Sequence, residues 1–348
     1  LVETQSRLMK AVRIHEHGGA EVIRWEEIPV PQLPPAHVLV KVRASGINHL
    51  DLWVRSGIPG IDLPRILGSD FSGEVVETGD AVSRWSKGDE IIGIPGRSCG
   101  MCDACLEGRE NLCPEFRIYG EDMDGIQSEF AILPQNQLLR KPSSMNHMEA
   151  AAYPLVFQTA WTMLQDRADI KPLDTILVLG GAGGIGSAAI QIARYFHGRI
   201  IATAGSDQKM EFCRRLGADE VIHHHRESIA DRVKEITAGE GVDVVIEHPG
   251  KATWDESIRS LKKGGTLVTC GATTGYLVNL DLRFLFSKQY NILGSTMGSK
   301  SALQAVTDLM EEGEFSPVIN QMFPAEDVVE AHRYMESGGH IGKVVLTF

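Results

Sequence analysis

Residues 174–196 read "DTILVLGGAGGIGSAAIQIARYF". An apolar run ends in two glycines, and a small-residue helical pattern starts a few positions later. Gly181, Gly183 and Gly186 fit G-x-G-x-x-G, with Gly184 and Ile185 inside the turn. Alone that signal is weak. Between a buried strand and a helix it has the context of a dinucleotide-binding turn. Glycines let the backbone approach a pyrophosphate, and the helix N-terminus offers it free N–H groups and a positive dipole end. A tight turn with a structural role only is the alternative reading.

Outward from this turn, strand and helix patterns alternate. "GRIIATAG" (198–205) reads as strand, "SDQKMEFCRRLG" (206–217) as helix and "DEVIHH" (219–224) as strand. "SIADRVKEITA" (228–238) follows as helix, "VDVVIEHPG" (242–250) as strand and "TWDESIRSLKKGG" (253–265) as helix. "TLVTCGA" (266–272) and "NILGSTMG" (291–298) are the last strands of the series. Such alternation predicts an α/β fold, a doubly wound parallel sheet.

The first third is different. "KAVRIHEH" (10–17), "HVLVKVRASG" (37–46), "GEVVETG" (73–79) and "SEFAILPQNQLLRKP" (128–142) are strand-like, with a proline-rich connector at 28–38. Residues 1–8 read as a tail. "HMEAAAYPLVFQTAWTMLQD" (147–166) is helical with a break at Pro154, and "GKVVLTF" (342–348) is again a strand. A β-rich domain (1–155) therefore brackets an inserted α/β domain (156–295), and 296–348 returns to the first.

The second strand of the sheet ends at Ala204 and Gly205, without the carboxylate that holds a ribose in NAD sites. Ser206, Lys209, His224 and the neighbouring His223, His225 and Arg226 can hold a 2′-phosphate instead. NADP(H) is thus expected over NAD(H). A solvated helix start, or an NAD site served by Asp207, is the competing reading.

Cys99, Cys102, Cys105 and Cys113 lie within a lobe at 95–115. Four thiolates at such spacing suit one structural Zn2+ in a closed tetrahedron, leaving no coordination position for substrate. Disulfides or an iron–sulfur cluster are the alternatives. Cys213 and Cys270 read as buried thiols.

The 348 residues suit two domains, and 43% hydrophobic against 23% charged suits a packed globular chain. A net charge of −12 argues against a broad nucleic-acid surface while leaving room for a small basic pocket. No apolar run approaches the ~18–20 residues of a membrane span, and the start of the chain lacks a signal pattern. No membrane association and a cytoplasmic location are the expectations.

Together these motifs resemble the medium-chain dehydrogenase/reductase superfamily, which holds zinc-type alcohol dehydrogenases and quinone oxidoreductases. The resemblance runs from Lys10 to Phe348. It rests on "ASGINHLDLWVRSG" (44–57), "LGSDFSGEVVETG" (67–79), the cysteine lobe, the glycine turn, "GADEVI" (217–222) and "GGTLVTCGATTG" (264–275). It implies a GroES-like catalytic domain, a Rossmann domain, and homodimers or homotetramers. It also implies that Thr159, Gly271 and Ala272 line the nicotinamide.

The departures from the family pattern matter more. Asn48, Ser69 and Leu155 stand where family members carry catalytic-zinc ligands, and Leu50 replaces the relay hydroxyl. Asp51 and Asp70 keep the family's acids. None of Asn, Ser or Leu is a good zinc ligand. A rearranged metal site from His49, Asp51 and Asp70 is the alternative, and His49 can equally serve a cofactor phosphate.

Without a metal, reducing an activated C=C bond is easier than reducing a simple carbonyl, because the developing charge spreads into an enolate that hydrogen-bond donors can hold. The expected substrates are small carbonyls, enones or quinones. Asn48 and Asp51 are the catalytic candidates, with Asn48 the leading donor; Ser69 and Tyr153 are weaker ones. An alcohol/aldehyde dehydrogenase with an atypical site, or a dinucleotide-binding protein without turnover, are the competing functions.

Overall fold

The computed structural model describes residues 7–348. Of the tail expected at 1–8, residues 1–6 lie outside the described residues, and Leu8 already opens the strand Leu8–Ile14. The chain divides into two compact units, residues 1–155 with 303–348, and residues 156–302.

In the second unit six parallel strands form one sheet. Their spatial order is Glu220–His223, Arg199–Ala204, Thr175–Val178, Val242–Glu247, Leu261–Thr269 and Asn291–Gly294. In chain order this is 3-2-1-4-5-6, the arrangement of the Rossmann fold. The order of the strands reverses beside Thr175–Val178, the strand that feeds the glycine turn. Its apolar residues, among them Leu177, Ile201, Val245 and Leu267, are fully buried against the flanking helices.

Two expectations change here. The helix expected over 253–265 stops at Ser260, and 261–265 join the strand Leu261–Thr269. Gly264 takes φ +75°, which a helix cannot accommodate. Residues 296–302 also stay with the second unit instead of returning to the first at 296. Gln158 Nε2 holds them there, donating to the carbonyls of Gly298 (3.0 Å) and Ser299 (2.8 Å).

The first unit is built on a mixed sheet with the spatial order Leu138–Arg140, Glu90–Gly93, Asp70–Thr78, His37–Ile47, Lys343–Thr347 and Ile319–Pro324. The late strand Lys343–Thr347 runs antiparallel to His37–Ile47, with Val344 opposite Ile47. Strand Asp70–Thr78 flanks His37–Ile47 on its other side, with Asp70 opposite Gly46. These registers bring the start of one strand, the end of the second and the start of the third to one place. Among the described residues no helix is long and apolar enough to cross a membrane.

Candidate active site

The three strand ends carry Asp70, Asn48 and Lys343. Asp70 is wholly buried, and Asn48 and Lys343 are 5% and 4% exposed. Asp70 Oδ1 accepts from the Leu155 N–H (2.8 Å). Its Oδ2 accepts from Asn48 Nδ2 (3.0 Å) and from Lys343 Nζ (3.1 Å). Lys343 Nζ also donates to Asn48 Oδ1. Gly46 leaves room for this group. A Cβ there would lie 2.5 Å from the Ala151 carbonyl oxygen and 3.2 Å from Lys343 Cε.

Lys343 escaped the sequence reading. A lysine opening an apolar strand usually snorkels to solvent, and only its buried position opposite two acidic or amide side chains reveals it. Its presence also decides what Asp70 does: the carboxylate is paired with an internal cation.

Asp51, the second catalytic candidate, has both carboxylate oxygens engaged by backbone N–H groups. Oδ2 accepts from the Asn48 N–H (2.8 Å) and Oδ1 from the Gly68 N–H (3.0 Å). Both oxygens tie the start of helix His49–Ser56 to the segment before Asp70, so Asp51 acts as a brace. Burial pushes its carboxyl up to about 6, against the opposing pull of those two N–H groups and of Lys343.

Ser69 Oγ and both polar atoms of the Gln127 amide are buried and lack a hydrogen-bond partner among the described residues. Gln127 lies against Gly68, where a Cβ would meet its Cγ at 2.4 Å. The sequence offered no signal for Gln127. Tyr153 does not face this group as a free donor: its hydroxyl meets Thr307 Oγ1 at 3.1 Å, and burial drives its ionisation upward. Among the described residues, His49, Asp51 and Asp70 do not gather into a cluster of metal-ligand atoms.

The cysteine cluster does. Cys99, Cys102, Cys105 and Cys113 bring their Sγ atoms within 4.8 Å of one another. Three of the separations are 3.5 Å (Cys102–Cys105), 3.5 Å (Cys99–Cys113) and 3.9 Å (Cys99–Cys105). A tetrahedron with Zn–S bonds of ~2.3 Å has edges of about 3.8 Å, so the four thiols fit a zinc ion. The N–H groups of Met101 and Cys102 aimed at Cys99 lower that thiol to about 7. Burial pushes Cys213 and Cys270 up to about 12, which makes them inert thiols at neutral pH.

At the glycine turn, Gly183 caps helix Gly184–Tyr195. The first N–H groups of a helix have no partner within it, and here they belong to Gly184, Ile185 and Gly186. A Cβ on Gly186 would lie 2.2 Å from the Gly180 carbonyl oxygen, and one on Gly181 would meet Ala202, Cys213 and Ile190 at 3.0–3.1 Å. A Cβ on Gly183 meets only the Gly180 oxygen, at 3.4 Å. Two glycines therefore serve packing, and the third has space around it.

Past the end of Arg199–Ala204, Gly205 lets two imidazoles approach. A Cβ there would meet His224 Nε2 at 2.9 Å and His225 Nε2 at 3.0 Å. Ser206 caps the next helix, accepting from the Lys209 N–H (3.3 Å). Burial, then the neighbouring His225, His223 and Lys209, lower His224 to about 4. Asp207, the acid that follows this strand end in sequence, is ion-paired with Arg226 (2.8 and 3.3 Å). Further along the same sheet edge, Gly271 abuts the His248 carbonyl oxygen, 3.0 Å from where a Cβ would be, and Ala272 lies against Gly250. Thr159, on helix Pro154–Trp161, is buried, with no partner for Oγ1 among the described residues.

Residues 34–143 match the family model of the alcohol dehydrogenase GroES-like domain, and residues 184–312 that of the zinc-binding dehydrogenases. The chain is 32% identical to a crotonyl-CoA reductase of Streptomyces avermitilis, over 98% of this chain and 85% of the relative. It is 41% identical to an NAD-dependent alcohol dehydrogenase of known crystal structure (TM-score 0.94), over 98% of this chain and 100% of that one. It is 32% identical to the 2-octenoyl-CoA carboxylase reductase CinF, solved with NADP and 2-octenoyl-CoA (TM-score 0.89), over 98% and 87% of the two chains. The chain belongs to the medium-chain dehydrogenase/reductase superfamily. It is an NAD(P)-dependent oxidoreductase that joins a GroES-like unit to a Rossmann unit.

Proposed function

We propose that this enzyme reduces activated C=C bonds, as in enones, quinones or other α,β-unsaturated carbonyls, with NADPH and without a catalytic metal. The observation that carries the reading is the Lys343–Asp70–Asn48 group. An ammonium ion is paired with the Asp70 carboxylate, and the oxygens of Asp51, the other buried acid there, accept from the Asn48 and Gly68 N–H groups, so neither acid is left free for a metal. NADPH, when bound, supplies the hydride to the β-carbon. Asn48 Nδ2 has two hydrogens; one goes to Asp70 and the other is available to the substrate's carbonyl oxygen, where negative charge collects. Asn48 is neutral at every working pH and supplies no net proton, so the α-carbon takes its proton from water. Ser69, which precedes Asp70, and Gln127, packed on Gly68, hold further buried neutral polar atoms without partners among the described residues.

The cofactor preference is supported by Ser206, Lys209, His224 and His225, and by the pairing of Asp207 with Arg226. Thr159, Gly271 and Ala272 are assigned to the nicotinamide, and Gly181, Gly183, Gly184, Ile185 and Gly186 to the pyrophosphate. Cys99, Cys102, Cys105 and Cys113 are assigned to one structural zinc. Thiols kept for a metal suit a reducing compartment such as the cytoplasm. A homodimer, or a tetramer built from it, is supported by Asn291–Gly294, which pairs on one side only among the described residues, and by nearby Tyr276, Leu277, Phe284 and Phe286, each more than half exposed.

A second reading, an alcohol/aldehyde dehydrogenase with an atypical site, is favoured by the 41% identity to an alcohol dehydrogenase. Metal analysis and two assays separate the readings. About one zinc per chain, with NADPH-driven turnover of an enone or quinone, supports the first. About two zincs per chain, or oxidation of simple alcohols with no enone or quinone turnover, overturns it.

A further inference from the structure

We infer that Lys343 acts through Asn48, as the residue that fixes and polarises the amide receiving the substrate's oxygen. The inference rests on the proposed enone reduction and names a part of that site which no family motif supplied.

A carboxamide has nearly the same shape either way round, so hydrogen bonding decides which end faces which neighbour. Lys343 Nζ can only donate, so the atom it meets on Asn48 is Oδ1. The Asp70 carboxylate can only accept, so its partner is Nδ2. Lys343 and Asp70 are also ion-paired to each other, at 4% and 0% side-chain exposure. Turning the amide over would set N–H against an ammonium ion and a carbonyl oxygen against a carboxylate, both away from water. The two charges therefore allow one orientation, with the second Nδ2 hydrogen held in a fixed direction.

The cation does more than orient. A positive charge on a carbonyl oxygen draws electron density from the amide nitrogen and strengthens its remaining N–H as a donor, and low local polarity enlarges the effect. As an enolate forms, the donor that meets it is thus fixed and strengthened before the reaction starts. This is the kind of preorganisation that lowers a barrier without tightening ground-state binding. A purely structural ion pair would stabilise the strand ends and leave the amide's chemistry alone.

The test uses the full chain with NADPH and three probes, 1,4-benzoquinone, cyclohex-2-enone and crotonyl-CoA, taking the one that wild type turns over fastest. If wild type reduces none of them, the proposed function itself fails and Lys343 is not the cause. If it does, the variant to make is Asp70→Asn with Lys343→Met. This removes both charges together and leaves no buried ion unpaired. The expected result is kcat roughly tenfold lower, with unchanged KM for substrate and NADPH; that is less than the ~10²–10³-fold loss from removing an oxyanion donor outright, expected of Asn48→Ala. Added to Asn48→Ala, the charge-removing pair should cost nothing further. The inference is overturned if the pair keeps kcat within twofold of wild type, or if it lowers kcat by the same factor with Asn48 absent. Should the pair not fold, Asp70→Asn with Lys343→Gln again removes both charges together and puts a neutral amide at position 343, and the same two outcomes decide.

Discussion

The glycine turn gives a prediction in which fold and cofactor separate. Gly183 has φ −80° and ψ 178°, open to any residue, and a Cβ there meets only the Gly180 oxygen at 3.4 Å. Gly183→Ala should therefore leave the cofactor-free protein within about 1 kcal/mol of wild type, the cost of alanine at a helix cap. Gly186→Ala puts a methyl 2.2 Å from a backbone oxygen and 2.7 Å from the Gly181 Cα, neither of which can swing aside. Overpacking of this kind costs roughly 1–3 kcal/mol, or a Tm lower by about 2–12 °C. The order inverts for the cofactor. If the pyrophosphate lies on the open side of Gly183, the added methyl holds it off one backbone N–H. Losing a hydrogen bond to a charged group costs ~1.5–3 kcal/mol, about 10- to 150-fold in Kd. Thermal unfolding without cofactor, and NADPH titration by nicotinamide fluorescence, measure the two effects. If Gly183→Ala binds NADPH within threefold of wild type, the turn serves structure only and the pyrophosphate assignment is wrong.

Three further outcomes are expected. Asp51 holds its proton up to about pH 6, against an ordinary 3.8; the folded state then binds that proton more tightly than the unfolded one, and stability falls as pH rises from about 4 to 6, by roughly 3 kcal/mol in all. Asp51→Asn should flatten that part of the denaturation-midpoint curve, whereas parallel curves for the two proteins would contradict the assignment. Lys209→Met should raise KM for NADPH about tenfold or more, a charge-assisted contact being worth ~1.5–3 kcal/mol, and leave KM for NADH alone; an equal rise for both cofactors would place Lys209 elsewhere. Cys113→Ser should lower bound zinc to well below one per chain and lower Tm, and unchanged zinc content would remove the cysteine cluster from the metal's ligands.

The sheet of the second unit was legible because its signals are local. Apolar strands, the glycine turn and the change of period all sit within a few residues of one another. A helix over 253–265 is too long because charged Lys262 and Lys263 continue a helical pattern in sequence, whereas the backbone already turns extended at Leu261 (φ −70°, ψ 137°) and enters the next strand. The cysteine lobe was legible from spacing alone. Asn48, Ser69 and Asp70 could be singled out by comparison with a family pattern. Their chemistry could not, because it depends on which strand lies beside which. Lys343 is one lysine among many until Val344 is known to face Ile47. Gln127 and Gly68 are neighbours only through the loop that returns beside Leu67.

That register has a consequence in time. Asp70 and Lys343 are 273 positions apart, and the whole of unit 156–302 lies between them. At ~5–20 residues per second, about 15–55 s of synthesis separate the buried acid from its cation. Throughout that interval Asp70 and the Asn48 amide have no lysine to meet. The inserted unit can complete its own sheet meanwhile, because its strands all come from one continuous stretch. The late strand Lys343–Thr347 then adds to the first sheet beside His37–Ile47 and brings the cation to the buried acid.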